Sequence, residues 1–203
     1  MRYVVLSPHL DDGIFSVCDY MLAAPGALLL TVFAGVPPEG TATPYDTGCG
    51  FEDSRKAIFS RRFENATACE FLGIEHREWD FLDGQYGAIG QGVQIIDSLL
   101  EEFTGAELVM PLGLHHPDHV LVSESAEMIL DSFSKVYVYA DLPYAGMYPL
   151  EMDARLQRWT TELVWKQPAS QEKQIALQAF PSQIGDKDAM PHVLGNEMVW
   201  RIR

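Results

Sequence analysis

Short apolar runs recur along the chain and alternate with segments whose apolar residues follow helical spacing. Runs of this length are typical of buried strands. The predicted strands, including two less regular ones, are 3–6, 27–33, 75–81, 108–112, 136–140 and 162–165. Strands that alternate with helices indicate a mostly parallel sheet covered by helices on both faces.

The helical segments have recognisable ends. The first begins at Asp12 and ends at Pro25 and Gly26, because proline and glycine terminate helices. The second, 52–72, ends at Gly73, and its expected buried face consists of Phe59, Phe63, Ala66 and Cys69. The other predicted helices are 93–103, 151–158, 170–180, and one opened by Pro117 that buries Val122, Ala126, Ile129 and Phe133.

This order of elements predicts an α/β fold, a Rossmann-like doubly wound sheet in a single domain of residues 1–203. Such sheets bind ligands beyond the carboxyl ends of the strands, where the strand order reverses. The turn at residues 7–12 lacks the glycine fingerprint of a dinucleotide site, so the expected cofactor is not NAD. Residues 36–51, rich in Pro, Gly and Thr, predict a long loop of the kind that often forms a lid.

Composition narrows the class of partner. Of the 203 residues, 47% are hydrophobic and 21% are charged, which is ordinary for a globular protein. The net charge of −15 argues against nucleic acid and anionic membranes as partners, since both attract Lys and Arg. Three cysteines without a Cys-x-x-Cys pair favour a reducing compartment. No apolar stretch has the length of a signal peptide or a membrane span, so we expect a cytoplasmic protein.

Two short clusters contain most of the reactive side chains. His9 and Asp12 follow the first predicted strand, whereas His116 and His119 follow the fourth. In a Rossmann-like order these strands are neighbours across the switch point, so the two clusters would face each other. Each residue alone would more often be structural. Their conjunction at one edge of the sheet predicts one site.

Imidazole and carboxylate groups are suitable zinc ligands, and three protein ligands with one open position are typical of a catalytic site. His9, Asp12 and His119 fill that pattern. Asp11 is placed to act as a general base toward water. His116, expected in its protonated form, is placed to protonate the leaving amine or to stabilise the oxyanion. The residues therefore indicate metal-dependent hydrolysis of an amide.

The motifs Ser-Pro-His9-Leu-Asp11-Asp12 and His116-Pro-Asp118-His119 resemble those of the LmbE/PIG-L family of zinc-dependent de-N-acetylases. The segments 61–64, 69–73, 81–84 and 173–183 are also similar to family segments. The resemblance implies one zinc or other divalent ion held by His9, Asp12 and His119. It makes Asp11 the base and His116 the acid or oxyanion stabiliser.

The resemblance further implies that Arg61 and Asp83 contact the sugar of the substrate. One departure is Gly13, which stands where the family usually has Glu. That position is not a metal ligand, so metal binding should survive. The implied substrate is a small N-acetylated amino sugar or its glycoconjugate.

Several alternatives stay open at this stage. The amide could instead belong to another small molecule or a thiol conjugate, or the chain could bind metal without turnover. Asp118 could orient His116 or cap a helix, and His115 is expected to be exposed. Asp141, Tyr144 and Tyr148 could line the pocket. The chain could form an oligomer, but the sequence does not indicate an oligomeric state.

Overall fold

The computed structural model describes residues 3–24, 26–87, 90–185 and 188–203. Its strands are β1 (Tyr3–Ser7), β2 (Ala27–Thr31), β3 (Glu75–Glu78), β4 (Glu107–Pro111), β5 (Lys135–Tyr139), β6 (Thr161–Pro168) and β7 (Asn196–Ile202). Its helices are α1 (Asp12–Ala23), α2 (Pro44–Gly48), α3 (Ser54–Leu72), α4 (Gly92–Phe103), α5 (Pro117–Glu127), α6 (Tyr144–Met147), α7 (Pro149–Leu156), α8 (Gln171–Ala176) and α9 (Met190–Val193). The predicted stop at Pro25 lies outside the described residues.

The strands form one sheet in the order β3-β2-β1-β4-β5-β7-β6. The first five strands pair in parallel, while β7 runs antiparallel to both β5 and β6. The predicted mostly parallel, doubly wound sheet is therefore confirmed. Among the described residues, no helix is both long and apolar enough to cross a bilayer.

Two hydrophobic cores cover the two faces of the sheet. Successive residues of β1 alternate between them: Val4 and Leu6 belong to the core under α4 and α5, and Val5 to the core under α1, α3 and α8. The crossover helices thus change face between β1 and β4, which are direct neighbours. The turns that follow these two strands meet at this switch point, as the sequence predicted.

The expected buried face of α3 was wrong for its two phenylalanines, although Cys69 is buried as expected. Phe59 and Phe63 are 52% and 74% exposed, whereas the inward face carries Arg61, Glu64 and Asn65. Arg61 and Glu64 have distant partners that hydrophobic periodicity cannot show. Glu64, for example, accepts hydrogen bonds from the amide and the hydroxyl of Ser182, at 3.2 and 2.6 Å. These two hydrogen bonds offset the cost of burying the Glu64 carboxylate.

Other element predictions need smaller corrections. The loop 36–51 contains a helix, α2, that begins at Pro44 with the Thr43 side chain as its N-cap. The helix opened by Pro117 ends at Glu127, so Ile129 and Phe133 lie beyond it. Three elements were not predicted: α6, α9 and β7. Helices α6 and α9 have only four residues each, and β7 carries a buried glutamate.

A buried ion pair is inserted into the break of α1. The helix is interrupted at Val17 (φ −143°, ψ 25°), so the carbonyl of Phe15 loses its regular partner, the amide of Asp19. The ammonium of Lys173 donates to that carbonyl at 2.5 Å, and the carboxylate of Glu197 accepts from the Asp19 amide at 3.0 Å. Lys173 and Glu197 are 3.0 Å apart and fully buried, so the pair replaces one helical hydrogen bond.

We predict that Lys173→Met destabilises the protein by roughly 3–5 kcal/mol, because it leaves the Glu197 carboxylate buried without a counter-ion. Burial already raises the pKa of Glu197 to about 7 against the opposing effect of Lys173, and the substitution raises it further. A carboxyl whose pKa is higher in the folded state loses stabilisation as pH rises through that pKa. The loss should therefore be larger at pH 8 than at pH 5, measured by urea unfolding.

The matched control is Lys166→Met, which removes an exposed lysine from β6 and should change the unfolding free energy by less than about 0.5 kcal/mol. A Lys173→Met variant as stable as this control, or one with the same loss at both pH values, would contradict the assigned pair.

Candidate metal centre and active site

The turn between β1 and α1 is held by its own side chains. The hydroxyl of Ser7 donates to the carbonyl of His9 at 2.5 Å and accepts from the amide of Gly13 at 2.8 Å. The amide of His9 donates to Asp12 Oδ2 at 2.7 Å. These bonds satisfy the backbone groups of a tight turn, and they fix His9 and Asp12 relative to each other.

Gly13 packs directly against β2. A Cβ at this position would lie 2.4 Å from Cδ1 of Leu29 and 3.3 Å from Oγ of Ser7. Leu29 is a buried core residue, so it has little room to give way. The departure from the family's usual Glu therefore has a packing reason: Leu29 occupies the space that a side chain at position 13 would need.

Two ring nitrogens approach one carboxylate oxygen at the switch point. Nδ1 of His9 and Nε2 of His119 each lie 3.1 Å from Oδ2 of Asp12. Tetrahedral coordination with metal–ligand bonds of about 2.1 Å would place such atoms about 3.4 Å apart. Nε2 of His119 is buried and makes no hydrogen bond with the described residues. An imidazole nitrogen left without a partner beside a carboxylate fits a site for a divalent ion.

Two other donor groupings share His9. Nitrogen atoms of His9, His116 and His119 lie within 4.8 Å of one another, as do ligand atoms of His9, Asp83 and Asp118. We favour the set with Asp12, because one of its carboxylate oxygens is equally close to both ring nitrogens and because the ring nitrogen Nδ1 of His116 is already engaged by a backbone amide.

In both His9 and His119, a carboxylate contacts the ring nitrogen that points away from Asp12. Asp118 Oδ2 lies 3.1 Å from Nε2 of His9, and Asp141 Oδ1 lies 2.7 Å from Nδ1 of His119. Each carboxylate is itself anchored by a backbone amide, from Gly84 at 3.0 Å and from Gly113 at 3.0 Å. A proton on the far nitrogen leaves the lone pair of the near nitrogen facing Asp12, which is the arrangement that metal-binding histidines usually show.

The charges of these groups are strongly coupled. Burial disfavours the charged form of His119, but the carboxylates of Asp12 and Asp141 outweigh it and raise the pKa of His119 to about 9. Burial is likewise outweighed at His9, where Asp118 and Asp12 raise the pKa well above its usual value. Despite burial, the two imidazoles lower the pKa of Asp12 well below its usual range. A positive charge at this position is therefore strongly favoured.

Asp11 differs from its neighbour Asp12. It occupies the N-cap of α1, yet its side chain makes no capping hydrogen bond and instead lines the cavity at the switch point. Burial and then the Asp12 carboxylate raise the pKa of Asp11 to about 6. A carboxyl group with a raised pKa that faces a cleft can exchange protons near neutral pH.

His116 is the N-cap of α5, and its Nδ1 accepts a hydrogen bond from the amide of Asp118 at 3.2 Å. Nδ1 therefore carries no proton, and the proton of the neutral ring lies on Nε2. Burial and then the nearby His9 and His119 lower the pKa of His116 to about 4. The structure thus favours a neutral His116, not the protonated form expected from the sequence.

Asp118 has neither of the roles considered for its side chain, because its carboxylate contacts the ring of His9. His115 is exposed, with a left-handed backbone (φ 60°) that turns its ring onto Tyr148 at 4.0 Å between centroids. Its neighbour Tyr144 lies edge-on to His119 at 5.2 Å.

Arg61 is buried beneath the lid formed by residues 36–51. Its Nη1 lies 2.8 Å from Asp46 Oδ1, and its guanidinium carbon lies 5.1 Å from the centroid of the Tyr45 ring. The hydroxyl of Tyr45 donates to Gln183 Oε1 at 2.7 Å, so α2 is bridged to the C-terminal part of the chain. Arg61 borders the cavity, but its strongest contact is with the lid.

Asp83 stands at the polar end of the cavity. It accepts hydrogen bonds from the amide and side chain of Gln85, both at 2.8 Å, and lies 3.8 Å from Nε2 of His9. The cavity has a volume of about 560 Å³. Part of its wall is apolar, formed among others by Phe15, Met147, Phe180, Met190 and Val193.

Asp141 and Asp118 are the site residues whose roles the sequence analysis missed. Both follow the carboxyl end of a strand, which is the signal that could have marked them. Asp141 was considered only as a pocket residue, since its contact with His119 depends on the pairing of β4 with β5.

The fold of this chain is similar to the folds of several solved structures. A triple mutant of a deacetylase involved in the teicoplanin biosynthetic pathway has 25% identity and a TM-score of 0.77, covering 100% of this chain and 98% of that one. A zinc-inhibited form of teicoplanin deacetylase matches with 22% identity and a TM-score of 0.74, over 100% and 98%. No family profile and no curated protein matches the chain.

Two more distant structures share the fold; one is a deacetylase and the other is a hydratase. An N,N'-diacetylchitobiose deacetylase from Pyrococcus horikoshii has 13% identity and a TM-score of 0.61, over 99% of this chain and 83% of that one. The 4-carboxy-2-hydroxymuconate hydratase from Pseudomonas putida KT2440 has 13% identity and a TM-score of 0.65, over 100% and 97%. The fold alone therefore does not fix the reaction, which must be argued from the site. The resemblance of this chain to the LmbE/PIG-L de-N-acetylases, first seen in two motifs, is confirmed over the whole fold.

Proposed function

We propose that residues 1–203 form one zinc-dependent hydrolase domain that removes an N-acetyl or other N-acyl group from an amino sugar or its glycoconjugate. The observation that carries this proposal is the pair of imidazoles, each held by a carboxylate, whose near nitrogens lie 3.1 Å from Asp12. The deacetylase fold at 25% identity supports the same reaction class.

His9, Asp12 and His119 would hold the ion. When bound, a zinc ion supplies a Lewis acid that polarises the amide carbonyl and lowers the pKa of water. Asp11 faces the cavity without a capping bond, so it can take a proton from the attacking water and return it to the leaving amine. His116, neutral with its proton on Nε2, donates a hydrogen bond to the oxyanion of the tetrahedral intermediate.

The cavity suits a substrate with a polar and an apolar part. Asp83 and Gln85 offer hydrogen-bonding groups to sugar hydroxyls beside the metal centre. Arg61 can contribute to the same region if substrate reaches the base of the lid. A volume of about 560 Å³ exceeds the needs of an acetyl group, so the remaining apolar wall is available for the rest of the glycoconjugate.

The alternatives differ in readily measured products. Hydrolysis of another small amide or of a thiol conjugate would release an amine without requiring an amino sugar. A chain that only binds metal would release nothing. Asp11 and His116 both border the cavity beside the ligand set, which favours turnover.

The proposed reaction should give measurable products. Incubation with N,N'-diacetylchitobiose and with N-acetylglucosaminyl conjugates carrying an apolar aglycone should release acetate and a free amine, measured enzymatically and with an amine-reactive dye. Dialysis against a chelator should abolish release, and zinc at one equivalent should restore it. Asp11→Asn should retain the ion but lose on the order of 10²–10⁴-fold in activity.

Loss of the metal from Asp11→Asn, with retention in Asp12→Asn, would mean that the roles of the two aspartates are exchanged. A wild-type protein that binds zinc but acts on none of these amides would refute the enzymatic proposal.

Zinc affinity should depend on the two carboxylates that contact the imidazoles. Asp118→Ala and Asp141→Ala should each weaken zinc binding by about 10–100-fold, because each removes the group that orients a metal-binding imidazole. Replacement of a ligand, as in His119→Ala, should weaken binding more. Titration against a chromogenic chelator measures all of these. Asp80→Ala is the control, since Asp80 is exposed and contacts Arg62 outside the site.

The third prediction separates the adjacent histidines. His116→Ala should lower kcat on the order of a hundredfold or more while the zinc content is unchanged, because an oxyanion donor is lost. His115→Ala should stay near wild type in kcat, since its ring stacks on Tyr148. The reverse pair of results would show that the donor is His115.

A further inference from the structure

The outward face of α3 carries a regular seam. Its members, spaced alternately three and four residues apart, are Lys56, Phe59, Phe63, Ala66 and Glu70. This is the spacing at which two helices contact each other along a straight line. Apart from the partly exposed Ala66, the seam residues are exposed.

The seam is apolar at its centre and charged at its ends. Phe59 and Phe63 are 52% and 74% exposed. Aromatic rings clustered on one exposed helix face mark an interaction surface. The ends carry opposite charges, Lys56 at the start and Glu70 at the finish. Within α3, Glu70 has no basic residue three or four positions away with which to pair.

We propose that this seam binds the same seam of a second copy of the chain, with the two α3 helices antiparallel about a twofold axis at Phe63. In that arrangement Phe63 meets Phe63 of the second copy. Phe59 meets Ala66, a large side chain against a small one. Lys56 meets Glu70, so two ion pairs close the ends of the contact.

The surface beside Ala66 is shaped to receive a ring. Arg62, Phe63, Ala66, His76 and Arg77 line a shallow depression between α3 and the edge strand β3. Phe59 of the second copy would enter it, as a knob enters a hole between helices. The floor at Ala66 is low because that residue has only a methyl group.

Charge selects a second copy over other partners. The chain carries a net charge of −15, so most pairs of surfaces from two copies repel each other. The two charges of the seam cancel, which makes this face an exception. A surface of one sign, such as an anionic membrane, would satisfy Lys56 but repel Glu70. An antiparallel copy satisfies both, because its own Glu70 and Lys56 then lie at the matching ends.

The contact is small. The 15 residues from Lys56 to Glu70 span about 21 Å of helix, so the interface falls at the low end of specific protein–protein contacts. We therefore expect a dissociation constant in the micromolar range, roughly 1–50 μM. The inference is independent of the proposed function, because none of the seam residues borders the cavity.

Sedimentation equilibrium from about 1 to 200 μM tests the proposal and spans the expected dissociation constant. Wild-type protein should change from monomer to dimer. Phe63→Glu should weaken dimerisation on the order of a hundredfold, because it buries two carboxylates at the twofold axis. Lys56→Glu and Glu70→Lys should each weaken it about tenfold or more, and the double variant Lys56→Glu with Glu70→Lys should recover affinity to within a few-fold.

Leu150→Glu is the matched control, since Leu150 is 84% exposed on α7, away from the seam, and should leave the dimer unchanged. Circular dichroism and thermal unfolding confirm that each variant is folded. A wild-type chain that stays monomeric to about 200 μM overturns the proposal. A dimer that survives Phe63→Glu, or one that the double charge exchange fails to recover, also overturns it.

Discussion

Two carboxylate–imidazole hydrogen bonds set the geometry of the whole site. An imidazole can present either nitrogen, and without a fixed proton it would present both to the cavity in turn. Asp118 and Asp141 remove that freedom at His9 and His119, so that both lone pairs face Asp12. Each carboxylate is positioned by the sheet: Asp118 on the first turn after β4, and Asp141 just beyond β5. The candidate metal centre therefore depends on three neighbouring strands, not only on the two that precede its proposed ligands.

The part of this site that could be predicted from sequence is the part that local spacing and strand order determine. His9 with Asp12, and His116 with His119, sit in turns after buried strands, and the doubly wound order brings those turns together. The partners of the imidazoles could not be predicted, because Asp141 reaches His119 only through the pairing of β4 and β5. The neutral state of His116 likewise depends on a backbone amide that is seen only in the folded turn.

Hydrophobic periodicity identified α3 correctly as a helix but misjudged its inward face. The pattern of Phe59, Phe63 and Ala66 is real, yet it faces outward, while Arg61 and Glu64 turn inward to partners in the lid and the C-terminal segment. A periodic apolar stripe shows that a helix has an apolar face without showing what covers it. Here Arg61 of the inward face borders the cavity, and the two phenylalanines of the outward face are exposed.

The buried pair of Lys173 and Glu197 limits the transfer of the N-terminal motif to another protein. Residues 7–23 contain two candidate metal ligands and the candidate base, and they look like a compact unit that could be moved to another doubly wound scaffold. The break at Val17 makes the unit incomplete, since the carbonyl of Phe15 and the amides of Asp19 and Tyr20 are satisfied by side chains about 150 or more residues away. A transplanted motif would need a lysine and a glutamate supplied by the host at the same two points. The motif is thus a short sequence whose structure belongs to the whole chain.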